Sequence, residues 1–260
     1  MSAAELQFLD VGKDKPRRIA YRHQPTPEGG KAGIIWLIGL KSDMLSTKAT
    51  ALSEWAPQNG YGLTRFDYSG HGESGGDYLQ ATVGDWLEET RAVFEQVTSG
   101  PQIIIGSSTG GHLALLLLRA LMKEKPEAAD RIKALALIAP AWDLTEELIW
   151  KQMPEAARAE VMENGVTYRP SEYDEPLPIT KALIEEGRNH VFKGSVFDPQ
   201  RPIHVLQGLL DDAVPPEHTR AMRDVIKADW IDLTEVSDGD HRLSRPQDLE
   251  LLFDTIKKVS

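Results

Sequence analysis

The sequence predicts an α/β fold: a mostly parallel central sheet flanked by helices, with a helical cap inserted late in the chain. Three observations lead there. Short β-branched runs alternate with longer segments of helical period. Residues 33–38 (GIIWLI) are nearly all apolar, as a strand buried on both faces must be. The alternation lapses between residues 142 and 198 and then resumes. With 260 residues, 41% of them hydrophobic, the chain can bury such a core.

Residues 7–11 and 17–23 read as a leading antiparallel pair, followed by turn chemistry at 25–30. After the strand at 33–38 come a helix at 47–58, a strand at 61–68 and a glycine-rich loop at 69–76. Thr82 followed by Asp85 has the spacing of a capping box, opening a helix that runs to about Val97. Strand 102–106, helix 110–124 and strand 132–139 continue the α/β rhythm. Helical fragments at 144–153 and 155–164 then flank a proline-rich piece at 169–178. This insertion has no strand of its own in the pattern and carries Trp142, Trp150, Met153, Tyr168 and Tyr173. It reads as a cap over the end of the sheet, whose aromatic residues serve either an apolar ligand or the cap's own packing. Strand 203–207, helix 216–228, strand 230–236 and helix 246–258 close the chain. Residues 1–141 and 199–260 thus form the expected core and 142–198 the cap.

Charge and composition narrow the function. Lys and Arg number 29 against 40 Asp and Glu, a net charge of −11, so neither nucleic acid nor an anionic membrane surface is an expected partner. Cysteine is absent, which excludes disulfides, thiolate metal sites and a cysteine nucleophile. The longest apolar run, 113–118, falls far short of the roughly 18–20 residues a membrane span needs. The stretch from Met1 to Asp14 lacks the marks of a secretory or organelle-targeting segment, and a cytoplasmic monomer or dimer is expected. No Walker loop, H-E-x-x-H or EF-hand pattern is present.

Gly106-Ser107-Ser108-Thr109-Gly110 fits G-x-S-x-G between a strand and a helix. Such a tight turn exposes the central hydroxyl and needs small neighbours, which makes Ser108 the candidate nucleophile. A serine hydroxyl needs a general base and a carboxylate to orient that base. Of seven histidines, His241 lies in the loop after the last strand, where the order nucleophile, acid, base puts the base. The acid comes from the loop Gly208 to Pro215: Asp211 is the first choice, with Asp212 second and Asp240 third. Two backbone donors must meet the oxyanion, and the amides of Thr109 and Leu40 are the candidates. Gly39, His112 and Trp142 are expected to contact substrate. Gly70-His71-Gly72-Glu73-Ser74-Gly75 formally matches G-x-G-x-x-G, but the loop runs on through Tyr78 where a dinucleotide site would open a helix.

Asp67-Tyr68-Ser69-Gly70-His71-Gly72-Glu73-Ser74 resembles the D-x-x-G-x-G-x-S loop of the α/β-hydrolase superfamily, and the elbow and the late acid and histidine agree with it. Arg65 to Gly70, Gly100-Pro101-Gln102, Gly106-Ser107-Ser108, the Asp211-Asp212 loop ending in Val214-Pro215, and Asp240-His241-Arg242 resemble the abhydrolase-domain palmitoyl-protein thioesterases that also cleave acyl glucuronides. The resemblance implies an α/β-hydrolase fold, with Ser108 as nucleophile, Asp211 as acid and His241 as base. The loop Ile38-Gly39-Leu40 lacks the His-Gly pair common in the superfamily, and Thr109, Gly111 and His112 depart from the thioesterases. The expectation is a bacterial-type serine esterase or thioesterase without metal or organic cofactor. Its substrate would be a small-molecule ester or thioester of a small-to-long acyl group, or an S-acylated protein. Carbon–carbon or amide hydrolysis on the same scaffold, or a slow-turnover ligand receptor, are the alternatives.

Overall fold

The computed structural model describes residues 4–13, 15–170 and 176–259. Its strands in chain order are β1 (Leu6–Val11), β2 (Arg17–Gln24), β3 (Gly33–Leu37), β4 (Gly62–Phe66), β5 (Gln102–Ser107), β6 (Ile132–Ile138), β7 (Val166–Arg169), β8 (Leu177–Thr180), β9 (Ile203–Gly208) and β10 (Ile231–Val236). The α-helices are α1 (Thr47–Gln58), α2 (Val83–Gln96), α3 (Thr109–Glu124), α4 (Pro126–Ala129), α5 (Glu155–Asn164), α6 (Lys181–Gly187), α7 (Pro216–Arg220), α8 (Met222–Val225) and α9 (Pro246–Lys258). One eight-stranded sheet runs β1-β2-β4-β3-β5-β6-β9-β10. β1 and β2 join antiparallel, and from β4 to β10 neighbouring strands are parallel.

β3 and β5 sit inside the sheet and every residue in them is buried, which is why both are built on contiguous apolar residues, GIIWL and the Ile103–Ile105 run, rather than on alternations. α3 follows the same logic, being buried from Thr109 through Leu118. At the start of α2 the expected reciprocal cap is present: Thr82 Oγ1 accepts from the Asp85 amide at 3.2 Å, and Asp85 Oδ2 accepts from the Thr82 amide at 3.0 Å. Register brings the carboxyl ends of the parallel strands level, pairing Leu37 with Gly106, Ser107 with Ile138, Ile138 with Leu206 and Gly208 with Val236. The loops after β3, β5, β6, β9 and β10 therefore share one end of the sheet, where open α/β sheets place their ligands.

Two sequence expectations need correction. The insertion between β6 and β9 does contain strands, since β7 and β8 pair antiparallel, Val166 opposite Thr180 and Tyr168 opposite Pro178. Gly165 ends α5 with φ +82°, and β-formers follow it; a two-stranded ribbon tolerates Pro178 because its missing N–H can face outward. Around that ribbon lie a π-helical turn at Leu144–Trp150, α5 and α6. Tyr173 and part of the proline-rich piece lie outside the described residues. The second correction is the helix expected over 216–228, which is broken into α7 and α8. Phe197 captures its end: the Phe197 amide donates to Val225 O at 2.8 Å, and the Lys227 amide donates to Phe197 O at 2.9 Å. Val225 and Ile226 are β-branched, so the helix loses little by yielding there.

The insertion has its own aliphatic cluster, with Leu144, Leu148, Ile149, Val161, Ile179 and Ile184 packed together, and it reaches Leu40 and Val214 on the core. Asp143, at φ +49°, staples its two ends, accepting from the amides of Phe192 at 2.7 Å and Lys193 at 2.9 Å. Among the described residues no helix is long and apolar enough to cross a membrane.

Candidate active site

β5 ends at Ser107, α3 begins at Thr109, and Ser108 between them has φ +53° and ψ −116°. That conformation costs a non-glycine residue on the order of 1–3 kcal/mol and persists only where its surroundings enforce it. Here the Ser108 amide donates to Ile138 O at 2.8 Å, while Ser108 O accepts from the amides of Gly111 at 2.9 Å and Ala141 at 3.0 Å. The glycines of the pentapeptide are equally constrained. A Cβ on Gly106 would lie 2.3 Å from Gly110 O, and one on Gly110 would lie 2.2 Å from Leu37 O.

His241 stands in the loop after β10, its Nδ1 2.8 Å from Asp211 Oδ2. Asp211 is buried, and its carboxylate is saturated with donors: the amides of Ala213 and Val214 give Oδ1 hydrogen bonds of 3.0 and 2.8 Å, and Gln207 Nε2 reaches Oδ2 at 3.2 Å. An acceptor-only carboxylate on Nδ1 requires the hydrogen to sit there, which leaves Nε2 as the basic nitrogen. Asp212 is exposed, and Asp240 spends Oδ1 on the amides of Arg242 and Leu243 at 3.1 and 2.9 Å, making a turn. Of the three candidate acids, Asp211 is therefore the one engaged with His241.

Ser108 and His241 together line two cavities. One, of about 340 Å³, is roofed by the insertion; Leu40, Leu144, Leu148, Ile149, Leu177 and Val214 give it an aliphatic wall, and Arg169, Asp212 and Arg242 also line it. The other, of about 280 Å³, is polar, with Lys41, Ser46, Thr47, Lys48, Arg242 and Ser244 in its wall. Lys48 is buried, and its ammonium donates to Arg242 O and to Ser244 Oγ (3.2 Å), tying the His241 loop to α1. Burial pulls its pKa down to about 8.

Thr109 is the first residue of α3, where amides lack an intrahelical acceptor. Gly39 lies against the elbow: a Cβ there would sit 3.4 Å from both Ser107 O and the Ser108 Cβ, so Leu40 begins its loop beside Ser108. Leu40 and Thr109 both line the aliphatic cavity, and Gly39 the polar one. His112 and Trp142 are placed elsewhere. His112 is buried behind the elbow, its Nδ1 accepting from the Asp143 amide at 3.3 Å and its ring edge-on to Phe192; burial drops its pKa to about 3. Trp142 stacks on His218 at 4.5 Å and donates its indole N–H to His218 O at 2.8 Å. Both are packing residues outside the linings of the two cavities. The sequence reading missed the aliphatic wall from Leu144 to Ile149, Lys48, and Gln207, whose Oε1 accepts from the Thr219 hydroxyl at 2.6 Å. Only tertiary contacts single these residues out.

Comparison with known proteins agrees with this architecture. Residues 41–172 match the Hydrolase_4 family, described as serine aminopeptidase, S33. Palmitoyl-protein thioesterase ABHD10, mitochondrial, of Pongo abelii is 34% identical over 231 residues, 88% of this chain and 73% of that protein. A solved protein from Agrobacterium vitis S4 described as a hydrolase superposes with a TM-score of 0.94 at 38% identity, covering 99% of both chains. Mouse alpha/beta hydrolase domain-containing protein 10 superposes with a TM-score of 0.83 at 32% identity, covering 98% of both. A family match over half the chain, and relatives above 30% identity over most of it, establish that the chain belongs to the Hydrolase_4 family of α/β hydrolases.

Proposed function

We propose that this α/β hydrolase cleaves carboxylic esters and thioesters through Ser108, His241 and Asp211. The observation that carries the reading is the buried Asp211 carboxylate 2.8 Å from His241 Nδ1, in a site where His241 shares both cavities with a serine held at φ +53°. Ser108 Oγ attacks the acyl carbonyl while His241 Nε2 takes its proton, and the amides of Leu40 and Thr109 receive the oxyanion. His241 then protonates the leaving oxygen or sulfur, Asp211 fixes the tautomer and stabilises the imidazolium, and water repeats the sequence on the acyl-enzyme.

The insertion between β6 and β9 acts as a cap on the acyl side. Its aliphatic wall suits a hydrocarbon chain, and the polar cavity suits the leaving group. The thioesterase name of the ABHD10 relatives supports a thioester among the substrates, borne by a small molecule or by an S-acylated protein. The test is kcat/KM for thioesters from acetyl to palmitoyl, with Ser108→Ala as blank. We expect a rise with chain length of up to about 0.8 kcal/mol per methylene until the cavity is filled. Undiminished turnover by Ser108→Ala would overturn the reading, and a preference for acetyl would remove the acyl role of the aliphatic wall.

A further inference from the structure

The glycine-rich loop after β4 is built around the segment that follows β3. Asp67, fully buried, accepts from the Met44 amide through Oδ1 at 2.6 Å and from the Glu73 amide through Oδ2 at 2.9 Å. Gly72, at φ +44°, leaves room for that carboxylate: a Cβ there would fall 2.1 Å from Oδ2. Ser69 is anchored by its amide to Glu89 Oε2 at 2.9 Å, and Glu89 is in turn ion-paired with Arg17 at 2.6 Å. The sequence pattern G-x-G-x-x-G thus serves as a brace, and His71 is its tip.

His71 is buried, with Tyr68, Tyr78 and Trp86 packed against its ring at centroid distances of 5.8, 5.4 and 5.5 Å. Its Nδ1 lies 3.1 Å from Ser69 O, which can only accept, so the ring hydrogen is on Nδ1. Nε2 is then an acceptor, and it receives the Lys41 amide at 3.1 Å. Burial holds the ring pKa at about 4, keeping that acceptor unprotonated near neutrality. Lys41 has φ +56°, a left-handed conformation that a lysine adopts only under constraint, and it directly follows Leu40.

We infer that His71 is a positioning residue: by holding the Lys41 amide it fixes the strained turn that presents the Leu40 N–H beside Ser108. The inference deepens the Ser108 hydrolase reading and rests on it. Leu40 packs against both hydrophobic clusters, and the Ser42 amide closes the turn onto Gly39 O at 3.2 Å; His71 adds the side-chain hold on the Lys41 amide, at the accuracy an oxyanion donor needs.

Two substitutions separate the two nitrogens of the ring. In His71→Asn the amide mimics Nδ1 and keeps the contact to Ser69 O but cannot reach Lys41; in His71→Gln the side chain reaches the Nε2 position and its oxygen can accept. Tyr68→Leu removes packing from the same ring without touching the acceptor, whereas Tyr78 also meets the Lys41 ammonium, 4.9 Å from its ring. Turnover of a neutral p-nitrophenyl ester, hydrogen exchange of the Lys41 amide and thermal midpoints are measured on all three. We expect His71→Asn to lose about 10- to 100-fold in kcat, below the loss for removing a donor outright, with KM little changed and Lys41 exchange accelerated. His71→Gln should recover most of both. Tyr68→Leu should match the loss in thermal midpoint with kcat within about threefold, since no donor is moved. Unchanged Lys41 exchange in His71→Asn, faster exchange without loss of kcat, or an equal loss of kcat in Tyr68→Leu would each overturn the inference. If the wild type shows no Ser108-dependent turnover, the hydrolase reading fails and the oxyanion role with it, while Lys41 exchange still reports whether His71 holds the turn.

Discussion

Ser108, His241 and Asp211 have different neighbourhoods, and their substitutions should differ accordingly. Ser108 is held by backbone bonds to Ile138 and Ala141, so removing its hydroxyl leaves the elbow intact. Ser108→Ala and His241→Ala are each expected to lower kcat by about 10⁴-fold or more, and the double variant to cost little beyond either, because the proposed nucleophile and base would act as a unit. Additive losses in steady-state ester turnover would show that they act independently. The two adjacent aspartates make a sharper contrast. Asp211 receives two amides, Gln207 and His241, whereas Asp212 is exposed. Asp211→Asn should therefore depress kcat by orders of magnitude through the wrong imidazole tautomer, with Asp212→Asn near wild type. The reverse pattern would shift the acid by one residue.

The elbow joins β3, β5, β6 and α3 at a separation no side chain can enter, so its energetics belong to elements and not to single contacts. A Gly110 Cβ would meet Leu37 O at 2.2 Å and Ile38 O at 2.7 Å, both backbone atoms of the β3 segment, which cannot rotate away. Gly110→Ala must push α3 off the sheet and is expected to destabilise the fold by about 3 kcal/mol or more in denaturant titration. Gly75→Ala makes a matched control: its Cβ would find its nearest atom, Arg18 O, at 3.6 Å, and a change of about 0.5 kcal/mol or less is expected. Equal losses in the two variants would contradict the packing account. The pentapeptide is recognisable in sequence for this same reason, since close approach restricts residue type at fixed offsets. The insertion is less recognisable because its cluster is assembled from a π-helical turn, a ribbon and two helices, each too short to show a clear period.

At the scale of the whole molecule, the parallel core was legible because strands buried on both faces are built on contiguous apolar residues, and because Asp85 and Gly106 carry local signals. The proposed triad, Ser108, Asp211 and His241, was chosen from loops and chain order, and the structure brings Asp211 and His241 to 2.8 Å. His112 and Trp142 lie outside both cavities: being one turn past the elbow does not say which side of α3 His112 faces, and Trp142, in the segment after β6, turns onto His218. The structure buries histidines that the sequence marks only as titratable, and this couples folding to pH. His112 and His71 are held at about 3 and about 4 by burial, against 6.5 for a free ring. In the unfolded chain both rings bind protons as the pH falls through 6.5, while in the folded chain they do so only near 3–4; their contribution to stability is intact above 6.5 and drains away over that interval. Buried Asp67, Asp143 and Glu89, raised by desolvation, act in the opposite sense, gaining protons in the folded state first. A difference experiment isolates one ring. His112→Asn keeps an acceptor for the Asp143 amide and cannot be protonated, so the stability gap between wild type and variant should shrink by about 3 kcal/mol between pH 7 and pH 4 in urea titration. A gap that stays constant with pH would mean that the His112 ring titrates normally, and that its burial does not contribute to the acid sensitivity of the fold.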